Sequence, residues 1–139
     1  MPPSWARSDG LAAGIVALAA LAGIALWPQL PAEVAIHVSA SGTPDTYVPK
    51  AVGVLLVPAI MIATLLVLRV ALYVDPPSNP RTGPVAVLAT MGFLAAVHLL
   101  VLVWNAGYPV PLDGLLVGSI VFGALLCGYA IWRERLSPR

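Results

Sequence analysis

The sequence predicts an all-α membrane fold: four transmembrane helices, with a short extended or hairpin loop between the first two. Three observations carry that prediction. Sixty per cent of the residues are apolar and only 9% are charged, against about 25% charged in an average soluble domain. A chain of 139 residues cannot bury so much apolar surface in a core of its own, so lipid must cover the remainder. The apolar residues fall into four stretches separated by polar, proline-rich breaks. Arginine, finally, is concentrated on alternate breaks, as a positive-inside topology requires.

The first stretch runs from Leu11 to Trp27, with Ser8 or Asp9 able to cap its start, which places a helix at about 9–27. Pro28 and Pro31 end it. Arg7 ahead of an apolar core also fits a signal peptide, but Trp27-Pro28-Gln29-Leu30-Pro31 offers no small-x-small cleavage site, so the segment reads as an uncleaved anchor. The second helix is expected over about 49–74, with Pro49 in its first turn, where the missing N–H costs nothing, and a kink at Pro58. It is longer than the ~20 residues that cross a bilayer, and the surplus lies at Arg69, which is expected to snorkel to the headgroups. A third helix is expected over about 84–104, opened by Pro84. The fourth spans about 112–132, with Asp113 in its first turn, where the helix dipole favours an anion.

Placing the N-terminus in the cytoplasm puts Arg7, Arg69, Arg81, Arg133, Arg135 and Arg139 inside and only Lys50 outside. Both ends of a multi-pass cell-membrane protein are therefore expected in the cytoplasm. Trp5, Trp27, Tyr47, Tyr73, Trp104, Tyr108 and Trp132 fall near helix ends, as an aromatic belt. Small residues recur in the last helix (Gly114, Gly118, Ser119, Gly123, Ala124, Cys127, Gly128) and in the first (Ala13, Ala17, Ala19, Gly23). Such ridges let helices approach closely in lipid. Packing of helix 1 on helix 4 is the first expectation and a homo-oligomer the sharper alternative. The lone Cys127 excludes an intrachain disulfide and reads as an inert thiol.

The loop over 28–48 is unlike the others. Val34, Ile36 and Val38 alternate with Ala35, His37 and Ser39, a period-two strand signal, and Ser41-Gly42-Thr43-Pro44-Asp45 reads as a turn. Here the chain resembles a known family. Leu30-Pro31, Ile36-His37, Gly42, Pro44-Asp45 and Lys50 look like the signature of the uncharacterised membrane domain that forms the N-terminal part of SdpI-type immunity proteins. Asp75-Pro76 and Asn79 resemble that family's aspartate-proline loop, and Gly128-Tyr129 stands where the family commonly has glycine-asparagine. The chain reaches Arg139 without the C-terminal motif and further helices of full SdpI proteins, so it resembles a short form. What the resemblance implies is a receptor-like protein that meets a secreted toxin and passes a signal to a cytoplasmic regulator.

Glu33, His37, Gly42, Pro44, Asp45 and Lys50 are thus the candidate residues for a ligand or partner. Histidine with two carboxylates can hold a divalent cation, but the spacing matches no compact zinc motif, so no metal is assigned. Asp45 is expected to cap a turn or the second helix, His37 to bond across the hairpin, and Lys50 to meet headgroups rather than Asp45. His98, inside the third helix, is the intramembrane polar candidate. It can be satisfied by a carbonyl or hydroxyl of a neighbouring helix, and no second ionisable group at similar depth makes a proton relay with it. Arg69, Asp75 and Arg81 are expected at the cytoplasmic interface. No paired intramembrane carboxylate, nucleophile constellation or phosphate-cradling glycine loop is present, so neither catalysis nor a cofactor is expected. A net charge of +1 without a basic cluster does not suit nucleic acid. The expected partners are the lipid bilayer, an extracytoplasmic peptide or toxin, a cytoplasmic regulator and another copy of the chain. The expected function is non-enzymatic immunity or signalling, and its alternative a small transporter or accessory subunit of a membrane complex.

Overall fold

The computed structural model describes residues 5–137, and Trp5 and Ala6 by their backbone alone. The Trp5 side chain expected in the aromatic belt, and Arg139 in the charge count, lie outside the described residues. The chain forms α1 (Trp5–Leu26), a 3-10 turn (Trp27–Gln29), β1 (Glu33–Val38), β2 (Pro44–Pro49), α2 (Lys50–Val74), α3 (Thr82–Asn105) and α4 (Gly114–Arg135). All four α-helices are long and apolar enough to cross a membrane. At about 1.5 Å per residue, the 22 residues of α1 reach about 33 Å, enough for a hydrocarbon core of about 30 Å.

Several boundaries differ from expectation for local reasons. α1 begins at Trp5, so Ser8 and Asp9 lie inside its first turns rather than capping it. Asp9 is drawn there by Arg69, whose guanidinium sits 3.1 Å from its carboxylate. Arg69 is therefore paired with α1 across the bundle. Pro49 closes β2 and stands as the N-cap of α2, one residue earlier than the first helical turn. α3 starts at Thr82, which leaves Pro84 within its first turn, and Asp113 is the N-cap residue of α4 rather than part of its first turn. Pro58 lies inside α2 and is buried.

The helices run antiparallel in sequence order, so the hairpin caps one end of the bundle, and the start of α1 and the end of α4 lie at the other. α1 packs most extensively on α3 and next on α2. Its buried face is Ala12, Val16 and Ala19, which meet Met61 of α2 and Val87 and Met91 of α3. Residues four and three apart share one helix face, and small side chains there bring the backbones together, the main source of helix association in lipid. Gly23 continues this face. A Cβ built on it would stand 2.5 Å from Val54 Cγ1 in α2.

Among the described residues, α1 and α4 do not form the expected extensive pairing. The helix that α4 packs on extensively is α3, with Phe93 and Phe122 stacked at 4.2 Å between ring centroids. Ala13 and Ala17 of α1 are exposed, and Cβ atoms built on Gly114, Gly118, Gly123 and Gly128 would meet no other part of the chain. The reason is that Ala19 and Gly23 of the expected ridge, together with Ala12, are occupied by α3 and α2. Cys127 is likewise exposed on α4.

Candidate functional site

The hairpin owes its shape to both its strands and the helices beneath. β1 and β2 are antiparallel, with Glu33 opposite Pro49, Val34 opposite Val48 and Val38 opposite Pro44. A register irregularity around His37 sets that residue opposite Thr46. The tip turns at Gly42, whose φ of +82° suits glycine. The Gly42 N–H donates to the Ser39 carbonyl at 2.9 Å. A Cβ on Gly42 would press on Asp113 at 3.0 Å, so the tip rests against the start of α4. At the base, Val34 is buried with Leu30, Val54 and Leu102, and the absent side chain of Gly53 leaves the space that Val34 Cγ2 fills.

Ala35 is buried as deeply as Val34, at 1% exposure each, although strict alternation would turn it to solvent. Its partner is Asn105, the last residue of α3. The Ala35 N–H donates to Asn105 Oδ1 at 2.8 Å, and Asn105 Nδ2 donates to the Ala35 carbonyl at 3.0 Å. Nδ2 also donates to the Val101 carbonyl at 2.8 Å. The amide thus behaves as one residue of a third strand, satisfying both backbone groups on the open edge of β1. Asn105-Ala106-Gly107 reads in sequence only as a helix stop. That signal is also correct: Gly107, at φ +96°, donates to Trp104 and Tyr108 to Val103, the paired bonds of a Schellman ending.

On the solvent face, His37 Nδ1 and Asp45 Oδ1 lie 2.6 Å apart across the two strands. With the carboxylate ionised, Nδ1–H is the donor. Thr46 Oγ1 donates to the same oxygen at 3.2 Å. The hydrogen bond from His37, with a smaller one from Thr46, holds the Asp45 carboxyl below its ordinary value. Asp45 therefore caps neither a turn nor α2; it ties β2 to β1. Glu33 stands four residues from His37 at the far end of β1, about 13 Å along a strand, so the three do not converge on one ion. Pro44 opens β2 beside Asp45. Lys50 lies at the base, not near Asp45: its Nζ donates to the Trp27 carbonyl at 3.4 Å and stands 4.8 Å from the Trp27 ring centroid.

At the opposite end the grouping differs from the expected Arg69, Asp75 and Arg81. Arg69 belongs to Asp9, while Asp75 lines a cleft of about 490 Å³ with Pro76, Pro77, Ser78 and Glu134. Glu134, near the end of α4, organises this loop. It accepts from the N–H of Ser78 at 2.6 Å, the N–H of Asn79 at 3.2 Å and the hydroxyl of Thr82 at 2.8 Å. Asn79 Oδ1 in turn accepts from the Arg81 N–H at 3.0 Å and from Arg133 at 3.4 Å. Sequence spacing could not pair Glu134 with a loop more than fifty residues away.

His98 is buried at the α1–α3 contact, 2% exposed, with its ring against the backbone of Ala19. Its Nε2 has no hydrogen-bond partner.

Residues 14–62 match a family described as a domain of unknown function, DUF1648. The match spans most of α1, the hairpin and the first half of α2. No curated protein and no solved structure matches the chain.

Proposed function

We propose that this membrane protein is a non-enzymatic receptor whose hairpin, displayed outside the cytoplasm, recognises an envelope component, in the manner of the SdpI-type immunity and signalling proteins it resembles. The observation that carries the reading is the hairpin itself. It is a fixed platform, clamped by Asn105 and seated on Gly53, and it presents a bonded His37–Asp45 pair to solvent. A preorganised polar pair on a rigid scaffold is what a recognition surface needs. The residues between Leu30 and Lys50 that carry the family resemblance lie within the segment that matches the domain family.

At the other end of the bundle, five described arginines (Arg7, Arg69, Arg81, Arg133 and Arg135) face a single lysine at the hairpin end. That asymmetry supports cytoplasmic chain ends. It also makes the cleft beside Asp75 and Glu134 the natural site for a cytoplasmic regulator.

The test is affinity capture from membranes in mild detergent, comparing the wild type with the His37→Ala/Asp45→Ala double variant. The account expects a protein or peptide retained by the wild type and lost from an equally expressed variant. Equal capture by both, or survival of toxin challenge undiminished by the substitutions, would remove the hairpin pair from the mechanism. A second reading, an accessory subunit of a membrane complex, is favoured by the open glycine face of α4. It predicts that capture depends on Gly118 and Gly123 rather than on the hairpin.

A further inference from the structure

The two edges of the hairpin are treated differently. On the β1 side, Asn105 takes both the N–H and the C=O of Ala35, and Val34 and Ala35 are buried. On the β2 side, no further strand among the described residues pairs with the sheet. Asp45, Thr46, Tyr47 and Pro49 are exposed there.

The register tells which backbone groups stand on that open edge. In an antiparallel ladder, residues that bond across it alternate with residues whose N–H and C=O point away. Ala35 points away from β2, because both its groups go to Asn105. Tyr47 is its cross-strand partner, so the N–H and C=O of Tyr47 point away from β1. The base of the hairpin gives the same phase. The Lys50 N–H donates to the Ala32 carbonyl at 2.9 Å, which makes theirs a bonded pair, and Tyr47 stands three alternations from it. Pro49 shares the phase of Tyr47, so its missing N–H costs the ladder nothing. Pro44 and Pro49 bound the strand. Between them, Tyr47 holds out one donor and one acceptor, which a single residue of an antiparallel strand satisfies.

Charge discriminates among incoming strands. Glu33 and Asp45 are exposed carboxylates, one on each strand. The lysine of the hairpin, Lys50, is engaged by the Trp27 carbonyl and ring. A second copy of the chain would bring the same two carboxylates to the contact, and an acidic peptide would add to them. A basic strand offsets them.

We propose that an extended, basic peptide segment adds to the open edge of β2 as a third strand, one of its residues exchanging both backbone hydrogen bonds with Tyr47. Main-chain bonds of this kind supply affinity, and side chains beside them supply specificity. Here the specificity comes from the carboxylates of the hairpin. The proposal rests on the reading of the hairpin as a recognition surface, and it names the class of partner and the mode of contact.

The experiment uses the full chain in nanodiscs and a defined probe. The probe is a synthetic seven-residue peptide that alternates threonine and valine and carries a lysine at each end. A peptide with glutamate at both ends is the control. Affinity is read by fluorescence anisotropy, and backbone engagement by hydrogen exchange at the Tyr47 amide. The lysine peptide is expected to bind saturably and more tightly than the glutamate peptide, and to slow Tyr47 exchange at least tenfold. Tyr47→Pro loses the outward N–H and no bond to β1, whereas Tyr47→Ala keeps that N–H. Tyr47→Pro should therefore bind about tenfold more weakly than Tyr47→Ala, the effect of one hydrogen bond. Slow exchange at the Ala35 amide reports that the hairpin is intact in each variant. Should Tyr47→Pro lose it, Tyr47 exchange in the wild type decides alone. No binding of the lysine peptide, equal affinity for the two peptides, Tyr47 exchange unchanged in the complex, or a Tyr47 amide already protected by pairing of two copies would overturn the proposal. Capture of an envelope partner that depends on His37 and Asp45 would survive each of these results, so the receptor reading stands or falls separately.

Discussion

At the scale of single residues, Asn105 holds more of the candidate site than any residue singled out from sequence. Replacing it with alanine leaves the N–H and C=O of buried Ala35 without partners. That should cost about 1–3 kcal/mol, read as a fall in Tm in detergent and faster hydrogen exchange at the Ala35 amide. Asp45 gives a prediction in pH. Its carboxyl is held below the ordinary value chiefly by His37. A depressed carboxyl contributes stability that is full above the unfolded value, about 4, and that is lost as pH falls through the lower folded value. A Tm profile from pH 6 to pH 3 should therefore drop on its acid side, and Asp45→Asn should flatten that part of the drop.

His37 and Gly42 were legible because each carries a local signal, a strand alternation and a turn, whereas Asp45, expected as a cap, proves to be the cross-strand partner of His37. Asn105, Glu134 and the Asp9–Arg69 pair were not. Their partners lie across the fold, and an asparagine ending an apolar helix looks the same whether it meets water or clamps a strand.

Among elements, helix existence was plain from hydropathy, because lipid demands about 20 apolar residues in each span. Which helices touch was not. The sequence holds small-residue ridges on α1 and α4, and spacing alone does not say which helix each one meets. Packing decides it through Gly23, which accepts Val54 of α2. Gly23→Val should force α1 and α2 apart at a cost of about 1–3 kcal/mol, measured as loss of Tm. Val54→Ala should recover part of that loss in the double variant if the two positions are in contact. An unchanged Tm in Gly23→Val would show that α1 does not approach α2 there. The open glycine ridge of α4 has the opposite expectation: Gly118→Ala meets nothing within the chain and should leave the monomer's stability within about 0.5 kcal/mol of wild type.

Taken as a whole molecule, the chain is an antiparallel bundle that is polar at both ends, and its two ends are built differently. A hydrogen-bonded hairpin closes one. The other is a carboxylate-organised loop surrounded by arginine. Reading function from this arrangement depends on which end faces outward, since a recognition hairpin must lie outside the cytoplasm. The direct measurement is thiol labelling in intact cells, in a Cys127→Ser background. Ala40→Cys at the hairpin tip and Ser78→Cys in the α2–α3 loop are compared using a membrane-impermeant maleimide. The account predicts that the position-40 thiol is labelled at once, and the position-78 thiol only after the membrane is permeabilised. Labelling of position 78 in intact cells, with position 40 protected, would contradict it.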